Sequence, residues 1–565
     1  MNNTHFDAIV VGSGITGGWA AKELTEKGLR VLMLERGSDL KHSQGYLGEH
    51  APNWKLPYNG LPNRELLATD FAQQDGGSGG ALDSSTLHYF NNDRLNPYLF
   101  DKNKPFYWVR GSRVGGRSLI WGRQVYRWSP QDFEANKQDG HGVDWPIRYE
   151  DLKDWYAYVE KFIGVSGQKE GLEHFPDGEF LPPMEMYSVE KTIKARLEKK
   201  RPDLTMTIGR AAILTQDHNG RAACHYCGPC PRGCSTGSYF STQSSTLPAA
   251  EATGRLTLRP NSVVEKLLYD KETNKVNAVR VIDANTKEVL EFSSDMVFMC
   301  ASTIGTNQIL LNSTSESHPS GIANSSGTLG QYLMDHHMTV SGVGIFVDNI
   351  DRYFYGFRPN GTYIPRFRNL PGNNDNVDFV RGYGFQSNTL RLDWRQTLHQ
   401  KGFGKDLKDN LRKPGPWAHL LTSFGECLPN KNNQMTLDDS QPDRYGIGQV
   451  KVNFEWSENE IKAASDAKVQ AEDILKAAGA VAFISGEAEA SPGAAIHEMG
   501  GARMGLDPKT SVLNKWNQSH DVPNLFVTDG AAMPSSASVN PSLTYMALTA
   551  RACDYAVSQW RDGLI

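Results

Sequence analysis

The sequence predicts an α/β fold built from more than one structural unit. Residues 6–35 contain an apolar run, a glycine-rich turn, a segment with helical spacing and a second apolar run, in the order strand, turn, helix, strand. Near the other end, "NLFVTDGAAMP" predicts a strand entering a loop, and "PSLTYMALTARACDYAV" predicts a helix with Pro541 in its first turn. At 565 residues the chain is also too long for one simple core.

The composition is that of an ordinary globular protein. Hydrophobic residues make up 39% and charged residues 22%, and the net charge of −5 gives no reason to expect a nucleic acid as partner. No apolar run approaches the roughly 18 residues that a membrane helix needs. The first strand begins almost at the first residue and leaves no room for a secretory signal. We therefore expect a chain that is either cytoplasmic or exported together with a partner.

The glycine turn of residues 12–17 indicates a nucleotide site. Gly12, Gly14 and Gly17 fill the pattern G-x-G-x-x-G, which allows a tight turn, close approach of a pyrophosphate and close packing of helix on strand. Glu35 ends the second strand, where a carboxylate can accept hydrogen bonds from ribose hydroxyls. NAD and FAD share this pattern, so the turn alone does not choose between them.

Four blocks of sequence indicate a flavin because they resemble those of a known family. They are "VVGSGITGG" with "LERG", "GSRVGGRSLIWGRQ" at 111–124, "MCASTIGTNQILLNS" at 299–313, and the C-terminal pair "AAIHEMGGARMG" and "SVNPSLTYMALTARACDYA". On these blocks the chain resembles the glucose–methanol–choline (GMC) oxidoreductases, which are FAD-dependent enzymes that oxidise alcohols and sugars. In particular it resembles bacterial FAD-dependent sugar dehydrogenases of the glucoside 3-dehydrogenase type and pyranose oxidases.

The resemblance implies α/β plus α+β architecture, with a Rossmann-like FAD-binding domain interleaved with a substrate domain built on an antiparallel sheet. We expect the FAD-binding domain to comprise residues 1–40, 101–130, 240–330 and 495–565. The substrate domain then comprises residues 41–100, 131–239 and 331–494 and includes a cysteine-rich loop at 222–237. The glycine-rich segment 71–85 is either a lid over the site or a surface loop.

The resemblance also assigns catalytic roles. His497 takes the place of the base that removes the proton of the substrate hydroxyl, and Asn540 takes the place of its assistant. His336 and His337 invite a metal-binding interpretation, but neighbours on a strand point to opposite sides, which favours a structural or supporting role.

The same resemblance predicts the residues that hold the flavin. Pyranose oxidases bond FAD through a histidine just before the tryptophan of the "VGGRSLIWG" block; Ile120 stands there in this chain, so we predict non-covalent FAD. The predicted cofactor-binding residues are Gly12, Gly14, Gly17, Glu35, Gly115, Gly116, Ser118, Trp121, Val264, Ala301, Asp529 and Pro541.

The cysteine-rich loop "CHYCGPCPRGC" predicts a metal centre. Cys224, Cys227, Cys230 and Cys234 have the spacing C-x2-C-x2-C-x3-C, which bacterial ferredoxins use for iron–sulfur clusters. Structural zinc, disulfides and free thiols are the alternatives. Some bacterial relatives in the GMC family hold a three-iron cluster with the spacing C-x5-C-x3-C, which Cys224, Cys230 and Cys234 match. A 3Fe–4S or a 4Fe–4S cluster is therefore expected.

Together these features predict an FAD-dependent dehydrogenase that oxidises a secondary hydroxyl of a sugar or glycoside, with C3 as the specific expectation, and passes electrons through the cluster to an external acceptor. One alternative is an enzyme like pyranose oxidase that reduces oxygen to peroxide, and another is a non-catalytic electron-transfer subunit. The resemblance implies a small subunit and a cytochrome-type acceptor as partners. It places the protein in the periplasm by co-export, with the cytoplasm as the alternative.

Overall fold

The computed structural model describes residues 5–77, 82–373, 375–392, 402–487 and 489–565. Its strands are β1 (His5–Val11), β2 (Val31–Leu34), β3 (Leu99–Phe100), β4 (Val165–Ser166), β5 (Phe180–Leu181), β6 (Thr207–Ile208), β7 (Leu256–Arg259), β8 (Ser262–Asp270), β9 (Lys275–Asp283), β10 (Val289–Met299), β11 (Gln331–Met334), β12 (His337–Phe346), β13 (Thr362–Ile364), β14 (Tyr383–Arg391), β15 (Trp417–Gly425), β16 (Gln434–Pro442), β17 (Gly448–Asn453), β18 (Ala482–Ser485), β19 (Met499–Gly501) and β20 (Leu525–Val527).

Its α-helices are α1 (Ile15–Glu26), α2 (Arg64–Asp70), α3 (Pro130–Asp139), α4 (Lys153–Ile163), α5 (Ser188–Lys200), α6 (Thr246–Ala252), α7 (Thr303–Asn312), α8 (Gly404–Leu411), α9 (Glu458–Ala477) and α10 (Ser542–Arg561).

The largest sheet has parallel strands at its centre. Its order is β7-β2-β1-β10-β9-β8, and β20 pairs with the carboxyl-terminal half of β10. Strands β7, β2, β1, β10 and β20 run parallel, whereas β9 is antiparallel to both β10 and β8. Residues 8–11 of β1 are all buried, as expected for a strand covered on both faces. The first and last segments of the chain therefore meet in one sheet, as the sequence predicts.

A second sheet of six strands is antiparallel throughout. Its order is β18-β12-β15-β14-β13-β6. Helix α9 packs against β12 and β15, and its buried residues include the alanines at 463, 464, 467 and 471. A third sheet, β19-β11-β16-β17-β3, contains strands from both halves of the chain. The predicted combination of an α/β unit with an antiparallel-sheet unit is confirmed. The predicted division into residue ranges stays a prediction.

Smaller predictions have mixed outcomes. Residues 256–270 form the two strands β7 and β8. Helix α10 begins at Ser542, so Pro541 caps the helix and does not lie in its first turn. Residues 78–81 of the glycine-rich segment lie outside the described residues. Across the ranges that the structure describes, no helix is long and apolar enough to cross a membrane.

The close contact of α1 with β1 depends on Gly17. A Cβ added at this position would lie 1.9 Å from the carbonyl oxygen of Gly12, so no side chain fits without moving the backbone. Gly14, three residues earlier, has an extended backbone, and a Cβ there would meet nothing within 4 Å.

We expect Gly17→Ala to destabilise the protein by about 1–3 kcal/mol because helix and strand must separate. The measurement is the thermal unfolding midpoint of the flavin-free protein, which should fall for Gly17→Ala. Gly14→Ala is the matched control and should unfold at the same temperature as the unsubstituted protein. Equal midpoints for the two variants would contradict this account of the turn.

Candidate active site

The turn between β1 and α1 forms one end of a cavity. Gly12 has φ +97°, and a Cβ there would lie 2.4 Å from the carbonyl oxygen of Cys300, so the position requires glycine. At Gly14 the backbone is open towards the cavity, and α1 begins at the next residue. An open backbone at a helix N-terminus is the environment that a pyrophosphate requires.

Two predicted cofactor-binding residues accept hydrogen bonds from neighbouring protein groups through their carboxylates. Glu35 accepts hydrogen bonds from the backbone N–H and the hydroxyl of Ser13 and from the N–H of Gly37, and burial raises the pKa of its carboxyl. Asp529 accepts from the hydroxyl of Thr306, and burial raises its pKa to about 6. The structure thus shows both residues fixing the walls of the cavity. The contact of Glu35 with a ribose stays a prediction.

The cavity has a volume of about 390 Å³ and extends from the glycine turn to His497 and Asn540. Gly17 and Gly115 lie behind its wall: Gly17 packs on the Gly12 carbonyl, and the Gly115 N–H donates to Ser13 Oγ at 2.9 Å. A phosphate-binding turn at one end and a proton acceptor at the other fit a flavin nucleotide. The other predicted catalytic and cofactor-binding residues all line the cavity, namely Gly12, Gly14, Glu35, Gly116, Ser118, Trp121, Val264, Ala301, His497, Asp529, Asn540 and Pro541.

The predicted catalytic pair is in contact. Nδ2 of Asn540 lies 3.2 Å from Nε2 of His497. His497 lies in the loop just before β19, and its backbone N–H donates to Asp335 at 3.0 Å. Asn540 comes two residues before α10. Two loops from the same end of the chain therefore bring an imidazole and an amide together at the cavity wall.

His336, for which the sequence favours a structural or supporting role, contacts the ring of His497. Its Nδ1 lies 2.8 Å from Nδ1 of His497, and its Nε2 lies 2.9 Å from the carbonyl oxygen of Ala537. His337 points elsewhere, with its Nε2 accepting from the N–H of Ala490, so the two neighbours do diverge as expected. The contact with His497 spans 161 positions, and no local pattern could have indicated it.

The electrostatics of the site keep both histidine rings neutral. Burial lowers the pKa of His336 to about 4. Burial, together with nearby His336 and Arg117, lowers the pKa of His497 well below its usual value. At neutral pH His497 is therefore an unprotonated imidazole with a lone pair on one ring nitrogen, which is the form that accepts a proton.

An ion pair lies beside the histidines. Arg117, which lines the cavity, donates to both carboxylate oxygens of Glu498 at 2.7 and 3.1 Å. Burial raises the pKa of the neighbouring Asp335 to about 7, and the charge of Glu498 adds to this rise. Arg117 lies within the sequence block that carries the family resemblance, but the spacing of that block gave no sign of this pairing.

The residue just before Trp121, where a covalent flavin linkage would need a nucleophile, is Ile120. Ile120 and Trp121 both line the cavity, and the Trp121 indole donates to the carbonyl of Phe240 at 2.9 Å. An isoleucine cannot bond to a flavin, so non-covalent FAD stays the prediction.

The cysteine-rich loop lies outside the cavity. Cys224, Cys227, Cys230 and Cys234 are all free thiols. Burial raises the pKa of Cys224 to about 11, with smaller contributions from the charges of the other three, so the four lie near one another. Within the part of the chain that the structure describes, however, no group of three or more His, Cys, Asp or Glu side chains is arranged to hold a metal ion. The loop thus has the donors of a metal site without its geometry, and the iron–sulfur prediction gains no support here.

One residue connects the loop with the cavity. Arg123 lines the cavity, and its charge acts on the Cys230 thiol, whose pKa is raised chiefly by burial. Its guanidinium also lies over the ring of Tyr239 at 5.1 Å. A residue of the cavity wall is therefore close enough to Cys230 for its charge to act on that thiol.

Comparison with known proteins establishes the family. The model of the N-terminal part of the GMC oxidoreductases matches residues 6–338, and the model of their C-terminal part matches residues 429–549. The chain belongs to the GMC oxidoreductase family. It is an FAD-dependent oxidoreductase that acts on CH–OH groups, and the resemblance seen in the sequence is confirmed.

Relatives cover the full length of the chain. The 2-methyl-1,2-propanediol dehydrogenase of Mycolicibacterium austroafricanum is 29% identical, covering 98% of this chain and 96% of that protein. The fructose dehydrogenase large subunit of Gluconobacter japonicus is 27% identical, covering 99% and 98%. The gluconate 2-dehydrogenase flavoprotein of Pantoea cypripedii is 25% identical, covering 96% and 92%.

Solved structures share the fold. Pyridoxine 4-oxidase from Mesorbium loti superposes with a TM-score of 0.60 at 14% identity, covering 98% of this chain and 99% of that one. An arginine-to-lysine variant of formate oxidase from Aspergillus oryzae RIB40 gives 0.61 at 14% identity and covers 100% of both chains. At this identity the likeness concerns architecture alone.

Proposed function

We propose that this enzyme is a dehydrogenase that oxidises a secondary hydroxyl group of a sugar or glycoside. The observation that carries the proposal is the neutral ring of His497 beside the Asn540 amide, both facing the cavity. FAD, when bound, supplies the acceptor for the hydride that leaves the substrate carbon. His497 takes the hydroxyl proton at Nε2. The Asn540 amide donates to the hydroxyl oxygen and stabilises the charge that develops there.

The substrate class rests on the relatives and on the sequence. Fructose dehydrogenase and gluconate 2-dehydrogenase are named for substrates with several neighbouring hydroxyl groups. The resemblance of the cysteine-rich loop to that of glucoside 3-dehydrogenases supports C3 as the position oxidised, with a 3-keto product. Which hydroxyl reacts is decided by contacts in the pocket, so product analysis is the direct test.

The function is tested by supplying a panel of free sugars and glycosides with an artificial electron acceptor and identifying the products by NMR. We expect a 3-keto glycoside with the unsubstituted enzyme. For His497→Ala we expect turnover lower by about 10²–10⁴-fold with its flavin content unchanged, because only the proton acceptor is lost. Unchanged turnover of His497→Ala would refute the base assignment. Stoichiometric oxygen consumption without the acceptor would favour the oxidase alternative, which the Streptomyces fradiae relative named paromamine 6'-oxidase represents.

We further propose that the four cysteines hold an iron–sulfur cluster through which the electrons leave. The support is the donor set of four neighbouring thiols and the effect of Arg123, a residue of the cavity wall, on Cys230. Because the thiols are not arranged as a metal site, binding of a cluster would have to reorganise the loop. Proton removal by His497 does not depend on the cluster, which would decide only where the electrons go.

Metal analysis of protein purified without oxygen tests the cluster. We expect roughly three or four iron atoms with matching acid-labile sulfide beside one flavin per chain. Cys227→Ser separates the two cluster types, since a three-iron cluster held by Cys224, Cys230 and Cys234 would survive it. Cys230→Ser should lose the iron in either case. Flavin without iron or sulfide, or zinc in their place, would refute the relay.

The proposal extends to partners and location. The name "large subunit" of the Gluconobacter relative supports a small subunit as partner, and the relay calls for a one-electron acceptor of the cytochrome type. A small subunit that carries an export signal would place the complex in the periplasm. Fractionation of cells with and without that subunit distinguishes this location from the cytoplasm.

A further inference from the structure

A continuous chain of hydrogen bonds crosses the active site. It runs from the carbonyl of Ala537 to His336 at 2.9 Å, from His336 to His497 at 2.8 Å, and from His497 to Asn540 at 3.2 Å. It ends at Gln386, whose side-chain amide contacts Oδ1 of Asn540. Gln386 lies on β14, in the antiparallel sheet, and does not line the cavity.

The carbonyl of Ala537 determines which atom donates and which accepts in every hydrogen bond of this series. A carbonyl oxygen only accepts, so Nε2 of His336 carries the proton and its Nδ1 holds a lone pair. Nδ1 of His497 must then donate to His336, which leaves the lone pair of His497 on Nε2. Asn540 must present its N–H to that lone pair, so its Oδ1 faces away and requires a donor. Gln386 Nε2 is that donor.

The opposite orientation of Asn540 would disable the base. With Oδ1 turned towards His497, Nε2 would have to carry the proton, either in the other tautomer or in an imidazolium. In the other tautomer two lone pairs would face each other across the 2.8 Å contact between His336 and His497. The orientation of a single amide therefore decides whether His497 can accept a proton.

We propose that Gln386 is a positioning residue that holds Asn540 with its N–H towards His497 and so keeps Nε2 of His497 unprotonated, which is the tautomer that the proposed base requires. The inference rests on the proposed function, in which His497 is that base. Gln386 comes from the antiparallel sheet, whereas Asn540 and His497 come from the C-terminal loops. The orientation of Asn540 therefore depends on how the antiparallel sheet packs against those loops. The charged and titratable groups around His497 are His336, Arg117, Glu498 and Asp335.

The test is the pH dependence of kcat/KM for Gln386→Glu. The introduced carboxylate only accepts, so it draws the N–H groups of Asn540 to itself and turns Oδ1 towards His497. The protonated ring is then favoured, and we expect the acidic limb of the profile to move up by one pH unit or more, which is about tenfold in the protonation equilibrium. The matched control is Asn388→Asp, which makes the same change at an exposed position two residues along the same strand, and its limb should not move.

Gln386→Met covers the case in which Gln386→Glu does not fold. It keeps the side-chain length and removes the donor, so Asn540 samples both orientations; we expect kcat/KM roughly 3- to 10-fold lower with an unmoved acidic limb. A profile for Gln386→Glu that matches the unsubstituted enzyme, with His497→Ala inactive, would overturn the role of Gln386 and leave the proposed function standing. Full turnover by His497→Ala would instead remove the proposed function itself.

Discussion

The hydrogen bond from His336 to the carbonyl of Ala537 is the interaction on which the active site depends. Because the carbonyl can only accept a hydrogen bond, it determines the donor and the acceptor in each of the hydrogen bonds that follow, from His336 to Asn540. The low pKa values of His336 and His497 work in the same direction, since burial removes the water that would stabilise a second proton. The surroundings of His497 thus keep the proposed base unprotonated before any substrate binds.

The residues of this hydrogen-bond series come from four separate segments of the polypeptide. His336 joins β11 to β12, His497 precedes β19, Ala537 and Asn540 precede α10, and Gln386 lies on β14. The cavity wall on the nucleotide side comes from the parallel sheet and its glycine turn. The nucleotide side of the cavity and the hydrogen-bonded histidines therefore come from different sheets, and the cavity joins them.

The sequence predicted the features that neighbouring residues encode and the site residues that lie in blocks resembling the family. The glycine turn at 12–17 and the strands around it are encoded by neighbours, and His497 and Asn540 lie in blocks that resemble the family. The sequence indicated a structural or supporting role for His336 but not its partner, and it did not indicate Gln386. The partners of these two residues lie 161 and 154 positions away, and only folding brings them together. The cysteine spacing predicted a cluster, but spacing fixes neither the direction of the thiols nor the metal, and the described loop has no metal-site geometry.

The most direct measurement of this account is the protonation state of His497, read by nitrogen-15 NMR of protein labelled in its histidine rings and assigned with His497→Ala. We predict a neutral ring at pH 7, protonated on Nδ1 and bare on Nε2, that stays neutral well below pH 6.5. An imidazolium at pH 7, or a neutral ring with the proton on Nε2, would contradict the account.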